Sequence, residues 1–181
     1  MNHKIKTSLA YTKNLLVTGA IKETSRKVEI EICKYIPKGN NKIIVEFGMG
    51  HGNITREILK NMSSDSKLYA FEVKKSFCKY VENTITDDRL IIINDGAENI
   101  KKHITGNVDA VIASIPFSFF SKEKGIQIIQ DAHDILVKNS YYCQVLYTKF
   151  NFKKFQLIFE DCYIETIKNT INEYVYHCKK K

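Results

Sequence analysis

The sequence predicts an α/β fold, a mostly parallel seven-stranded sheet with helices on both faces and a C-terminal antiparallel hairpin. Three observations carry this. Near-continuous apolar runs of strand length alternate with segments of helical periodicity, the pattern of a parallel sheet buried on both sides. The first run, Ile43-Ile44-Val45-Glu46-Phe47, passes through Gly48-Met49-Gly50-His51-Gly52 into a helix-like spacing at Ile54, Ile58 and Leu59. Near the C-terminus, apolar segments at about 157–166 and 174–178 flank Asn169-Thr170-Ile171-Asn172, a link short enough for a hairpin.

The first unit is half of a βαβ nucleotide-binding motif. Glycines let the backbone approach a ligand closely, and the following helix offers unpaired N–H groups at its N-terminus. The dinucleotide fingerprint G-x-G-x-x-G would need glycine where Asn53 stands, so the turn is G-x-G-x-G.

The later strands each end in a candidate ligand contact. Residues 67–73 form the second strand, and Glu72 follows the glycines by about 20 residues, the offset at which an acid accepts from a ribose diol. A helix with Phe77, Tyr80, Val81 and Ile85 leads to a third strand, 89–93. Its end, Asp95-Gly96-Ala97, supplies a carboxylate for an exocyclic amine and two small residues beside a ring; it is also an Asp-Gly turn, and the two roles are compatible. The fourth strand, 108–114, runs into Ile115-Pro116-Phe117-Ser118-Phe119-Phe120. Ligands of open α/β sheets sit at the C-terminal strand ends, so 114–120, with three phenylalanines facing the crevice, is the candidate active-site loop. A helix with Ile126, Ile129, Ile135 and Leu136 follows, then a strand over 141–148 and a segment with Phe150, Phe152 and Phe155.

Composition narrows the partners. The 181 residues make one domain, divided as an amphipathic helix at 1–16, an element at 17–41 and a core at 42–181. In the second part Thr24 or Ser25 caps a helix carrying Val28, Ile32 and Ile36, which ends at Pro37-Lys38-Gly39-Asn40. Net charge is +8, and residues 1–42 hold nine Lys/Arg against three Glu, a net of +6, which suggests phospholipid headgroups, nucleic acid or nothing specific as partner, and composition does not choose among them. The five cysteines are scattered without a C-x-x-C pair and the histidines lack ligand spacing, so neither a disulfide frame nor a metal site is expected. No run approaches the ~18 apolar residues of a membrane span, and no signal peptide is evident. A cytoplasmic monomer is the expectation, and the basic helix at 1–16 suits the inner face of the membrane as well as it suits packing on the domain.

The segment Glu46-Phe47-Gly48-Met49-Gly50-His51-Gly52-Asn53-Ile54-Thr55 resembles motif I of class I S-adenosylmethionine-dependent methyltransferases, whose Rossmann-like sheet has seven strands with the last antiparallel. Further pieces extend the likeness over most of the chain: Thr18-Gly19-Ala20-Ile21 with Thr24-Ser25, Phe71-Glu72-Val73, Phe77, Asp88-Arg89-Leu90, Ala97, Ser114-Ile115-Pro116-Phe117 and the aromatic hairpin. Together they are similar to bacterial phospholipid N-methyltransferases, which share their core with rRNA adenine dimethyltransferases. The chain departs from that pattern at Ile115 and at 170–172, both beside the acceptor.

The resemblance implies that S-adenosylmethionine is held by Glu46, Gly48, Gly50, Gly52, Glu72, Val73, Asp95, Gly96, Ala97 and Ser114, with Thr18, Gly19, Thr24 and Ser25 closing over it. It implies an ethanolamine-headed phospholipid as acceptor, met at an anionic membrane surface by the N-terminal helix. The catalytic loop is then Ser114, Ile115, Pro116 and Phe117. The Ser114 hydroxyl and the carbonyls of Ser114 and Ile115 accept N–H bonds from the acceptor amine, and Phe117 walls the site and attracts the cationic product. No general base is assigned. The alternatives are a nucleic-acid adenine N6-methyltransferase, in which a flipped base stacks on Phe117, a small-molecule methyltransferase, and a binding module without chemistry.

Overall fold

The computed structural model describes residues 24–181. Five parallel strands, β1 (Ile43–Phe47), β2 (Lys67–Phe71), β3 (Leu90–Ile93), β4 (Val108–Ala113) and β5 (Leu136–Leu146), precede the hairpin of β6 (Asp161–Ile167) and β7 (Glu173–Lys179). The sheet order is β3-β2-β1-β4-β5-β7-β6, with β7 inserted antiparallel between β5 and β6. This is the seven-stranded, mostly parallel sheet expected from the sequence.

Period-two alternation sends neighbouring side chains of each strand to opposite faces. On one face Ile44, Ala110, Cys143 and Val175 pack against Val28 and Ile32 of helix α1 (Arg26–Ile32) and Ile54 and Ile58 of α2 (Asn53–Asn61). The same side carries α3 (Lys75–Thr84), whose Cys78 and Val81 meet Met49 and Ala70. On the other face Val45, Phe47, Val111, Tyr142 and Tyr176 pack against α4 (Ile100–His103), α5 (Lys122–Ile135) and α6 (Phe152–Gln156) through Ile100, Ile128, Ile129 and Phe155. All five parallel strands release their loops at one edge of the sheet, which is where the site forms.

Four local expectations change. Helix α1 ends at Ile32, and Ile36 is buried beyond it, in the turn before Pro37. Ser25 holds the N-cap position, and its carbonyl accepts from the amides of Val28 and Glu29 (2.9 and 3.1 Å), but its hydroxyl donates to Glu173 Oε2 (3.3 Å) and caps no helix N–H. Leu136 opens β5 instead of closing a helix: it pairs with Val108, and between Val108 and Ala110 of β4 the partner strand advances from Leu136 to Tyr141. The extra residues include Asn139 in the left-handed region (φ 65°), and the strand stops at Leu146. Residues 157–160 are not strand, because Phe155 and Phe159 turn inward to the core while Leu157 stays outside.

The hairpin is fastened to α1. His177 is fully buried, with Nε2 3.0 Å from Glu31 Oε1 and Nδ1 3.2 Å from Cys143 Sγ. Burial lowers its pKa, so the ring is held neutral near pH 7. Among the described residues no helix is long and apolar enough to cross a membrane, and no group of three or more His, Cys, Asp or Glu is arranged to hold a metal ion. The helix expected at 1–16, with Thr18 and Gly19, lies outside the described residues.

Candidate active site

Each glycine of the first turn has a separate reason to be glycine. Gly48, Gly50 and Gly52 adopt φ of 79°, 52° and 81°, where an L side chain is strained. A Cβ on Gly48 would lie 2.9 Å from Ile115 Cγ2 and 3.1 Å from the Ser114 carbonyl, so this glycine lets the loops after β1 and β4 touch. A Cβ on Gly52 would lie 2.8 Å from Ile85 Cδ1, so that glycine seats the start of α2 on α3. A Cβ on Gly50 would meet nothing within 4 Å: this residue faces open cavity. The turn is braced from behind, with Gly48 N–H donating to the Phe71 carbonyl (2.8 Å) and Gly50 N–H to Glu72 Oε2 (3.1 Å).

A cavity of about 970 Å³ opens at this edge of the sheet. Its first half is walled by Thr24, Gly48, Gly50, Glu72, Gly96 and Ala97, with Val73, Asp95 and Ser114 completing the wall. Its second half continues past Ile115 and Pro116 to Phe119, Phe120, Tyr147, Phe150 and Lys154, and Lys124 reaches back to Glu98 beside Gly96.

The acids in the first half divide into two roles. Glu72 is mostly buried, and its other oxygen accepts from the Lys74 amide (2.9 Å). A carboxylate has about four acceptor positions, so Glu72 can brace the turn and still accept from a diol. Asp95 is more committed: Oδ1 accepts from Gly96 N–H (2.7 Å) and Asn99 Nδ2 (2.8 Å), and Oδ2 lies 2.8 Å from His103 Nε2. The His103 contact first, then those of Asn99 and Gly96, holds its pKa down at about 2. Of the edge expected for an exocyclic amine, only Oδ2 keeps a free position; His103, with no sequence cue pointing to it, is its partner.

Glu46 corrects the sequence reading. It does not line the cavity. As the even position of β1 it points under the turn toward α2, 1% exposed, with Oε2 accepting from Thr55 Oγ1 (2.7 Å) and Oε1 buried without a partner. Burial pushes its pKa up to about 8. Gly52 and Ser25 also lie off the cavity wall.

The loop after β4 is a packed platform. Ser114 N–H donates to the Phe47 carbonyl (2.8 Å), prolonging the sheet, and a 3-10 turn over Phe117–Phe119 follows Pro116. Phe117 is 2% exposed and meets Phe120 and Phe155 edge-on, so it anchors the loop in the core while bordering the cavity. Only Phe119 of the three phenylalanines is well exposed. The Ile115 carbonyl is also not free as expected: it accepts from Gln144 Nε2 (3.0 Å). Gln144 is fully buried, its amide also reaching the Val145 carbonyl (3.0 Å), and its oxygen accepting from Tyr142 Oη (3.1 Å). A lone Gln inside an apolar strand was the one available signal for it.

These residues fit S-adenosylmethionine. A glycine with open space before it, a buried acid at the second strand end and small residues at the third make a cradle for an amino acid joined to a nucleoside. No model of a known protein family matches the chain. A curated relative, the ribosomal RNA small subunit methyltransferase H of Christiangramia forsetii, is 33% identical over 97 residues, 50% of this chain and 31% of the relative. The chain thus spans about a third of that protein's length. Among solved structures, an rRNA methylase from Streptococcus thermophilus superimposes with a TM-score of 0.66 at 18% identity, covering 89% of this chain and 99% of that one. A Streptococcus mutans protein described as a methyltransferase, solved in complex with SAH, superimposes at 0.65 with 19% identity, covering 86% and 99%. The fold is the Rossmann-like fold of class I methyltransferases.

Proposed function

We propose that this chain is an S-adenosylmethionine-dependent methyltransferase whose acceptor is a base nitrogen of ribosomal RNA. The observation that carries the reading is the continuity of the cavity. The glycine turn and Glu72 stand at one end, Ser114–Phe117 in the middle, and an aromatic mouth of Tyr147 and Phe150 with Lys154 at the other, following the strand order β2-β1-β4-β5. The rRNA methylases among the similar proteins support this acceptor, although fold likeness alone does not choose a substrate. The lysines at the mouth, Lys154 among them, draw in a polyanion.

S-adenosylmethionine supplies an electrophilic sulfonium methyl. The backbone of Gly48–Gly50, Glu72 and the small wall of Gly96 and Ala97 would hold it, and the chain's remaining task is alignment. The Ser114 hydroxyl and carbonyl accept the N–H bonds of the acceptor amine and turn its lone pair toward the first half of the cavity. An exocyclic base amine is unprotonated at neutral pH, so no strong base is needed to free it, and the proton that the methylated nitrogen sheds would leave along its hydrogen bond to the Ser114 hydroxyl and on to water. Phe117, locked by Phe120 and Phe155, gives the base a rigid wall.

Gln144 acts as a positioning residue. Gln144→Leu removes the anchor of the Ile115 carbonyl and strands the Tyr142 hydroxyl, a cost of about 1–3 kcal/mol. Methyl transfer should fall through kcat while the cofactor Kd, read by calorimetry, stays within about twofold.

The deciding experiment supplies labelled methyl from S-adenosylmethionine to deproteinised ribosomal RNA and, in parallel, to anionic vesicles containing phosphatidylethanolamine. Label in RNA, recovered as an N-methylated nucleoside after digestion, is the expected result. Label only in the organic phase would replace this reading with the phospholipid one.

A further inference from the structure

The cavity mouth carries a surface that the methyl-transfer chemistry does not use. The segment Lys149-Phe150-Asn151-Phe152-Lys153-Lys154-Phe155 interleaves lysines with aromatics. Its side chains are sorted: Phe155 goes to the core, Asn151 is buried, and Phe150 stands 74% exposed at the cavity edge. Across the mouth Phe119 is 45% exposed. Both rings line the cavity and keep a face open to a ligand.

Cations surround the pair. Lys149 and Lys153 are exposed on the Phe150 side, and Lys122 and Lys124 on the side of Phe119. Lys154 bridges the two, its Nζ reaching the N-terminal turn of α5 beside Gly125. Two acids share the area: Glu98, paired with Lys124 at 2.5 Å, and the exposed Glu123. The five lysines outnumber them. Lys149 Nζ also sits 5.1 Å above the Tyr174 ring, which holds that charge beside Phe150.

A basic track with aromatic platforms is the chemistry that binds unpaired nucleic acid: lysines follow the phosphates and bases stack on the rings, with little dependence on sequence. We propose that the lips of the cavity form a single-strand RNA platform, in which Phe150 and Phe119 stack the nucleotides flanking the base that enters the cavity. This rests on the nucleic-acid reading above and narrows it to an unpaired segment, since a duplex buries the faces that these rings need.

The test is fluorescence anisotropy on the full chain with a labelled, unstructured RNA oligonucleotide, the same strand annealed into a duplex, and phosphatidylglycerol vesicles. Single-stranded RNA should bind more tightly than duplex. Phe150→Ala should weaken it roughly 5- to 150-fold, Phe150→Tyr should restore it, and calorimetry should show S-adenosylmethionine affinity unchanged in both. Lys149→Gln with Lys153→Gln should lower the slope of log K against log salt by about 1.4. Duplex binding equal to single strand, wild-type affinity in Phe150→Ala, or binding to vesicles and not to RNA would each overturn the platform. The two readings fail separately. Methylation of ribosomal RNA by Phe150→Ala with an unchanged KM would sink the platform and leave the reaction standing. Oligonucleotide binding as described, with no RNA methylated, would uphold the platform and remove the reaction.

Discussion

Gly50→Ala should abolish S-adenosylmethionine binding in a protein that still folds. At φ 52° the new side chain costs about 1–2 kcal/mol of backbone strain. No steric penalty is added, because a Cβ there meets no atom within 4 Å. For a chain of this size the loss amounts to a fall in Tm of roughly 2–8 °C. The methyl instead projects into the space before the turn, where the cofactor must approach the backbone within hydrogen-bonding distance. Gly48→Ala is the contrasting variant. It has similar strain, but its Cβ would also collide with Ile115 Cγ2 and with the Ser114 carbonyl, a backbone atom with little freedom to yield. It should lose about 1–3 kcal/mol more. Calorimetric titration with S-adenosylmethionine and thermal unfolding of both variants separate the two effects. Wild-type affinity in Gly50→Ala would remove the glycine turn from the cofactor site.

Glu46→Gln should stabilise the protein at alkaline pH and leave it nearly unchanged in acid. The carboxyl is fully buried, one oxygen has no partner, and its pKa of about 8 stands well above the ordinary 4.5. Burial is the main cause; the Thr55 hydroxyl opposes it and the Glu72 charge adds to it. A group whose folded pKa is raised binds more protons folded than unfolded between the two values, so stability is complete below about 4.5 and is lost as pH rises through 8. At 1.36 kcal/mol per pKa unit the rise from 4.5 to about 8 is worth on the order of 5 kcal/mol. Glutamine keeps the bond to Thr55 Oγ1 and carries no charge to bury, so its stability should be flat over the same window. Denaturant unfolding of both proteins at pH 5 and pH 9 measures the difference. A variant that is no more stable than the parent at pH 9 would show that Glu46 is ionised and solvated in the folded chain.

Much of the architecture is legible in the residues. The runs at 43–47, 67–71, 90–93 and 108–113 are mostly apolar on both faces, and they are followed by Gly48, Glu72, Asn94-Asp95 and Ser114-Ile115-Pro116. A buried parallel strand needs that composition, and its C-terminal end is where ligands meet the sheet. The same logic placed Gly48, Gly50, Glu72, Asp95, Ala97 and Ser114 on one cavity wall. At element boundaries packing overrides the local pattern. Leu136 continues the apolar stripe of α5, yet its partner is Val108 across the sheet, and the bulge at Asn139 absorbs the difference.

The sequence by itself determined the order of elements, the glycine turn and the strand-end acids, because period, apolar content and turn chemistry are properties of short stretches. Only the tertiary structure decided which of those groups face the cavity. Glu46 sits two residues from Gly48 and points beneath the turn, because strand alternation sends it to the α2 face. The Ile115 carbonyl is claimed by Gln144, 29 residues onward, through pairing of β4 with β5. Lys154 and Phe150 reach the lips shared with Phe119 because α6 folds back onto the sheet through Phe155. The last two are contacts between segments distant in the chain, and no local pattern encodes their partners.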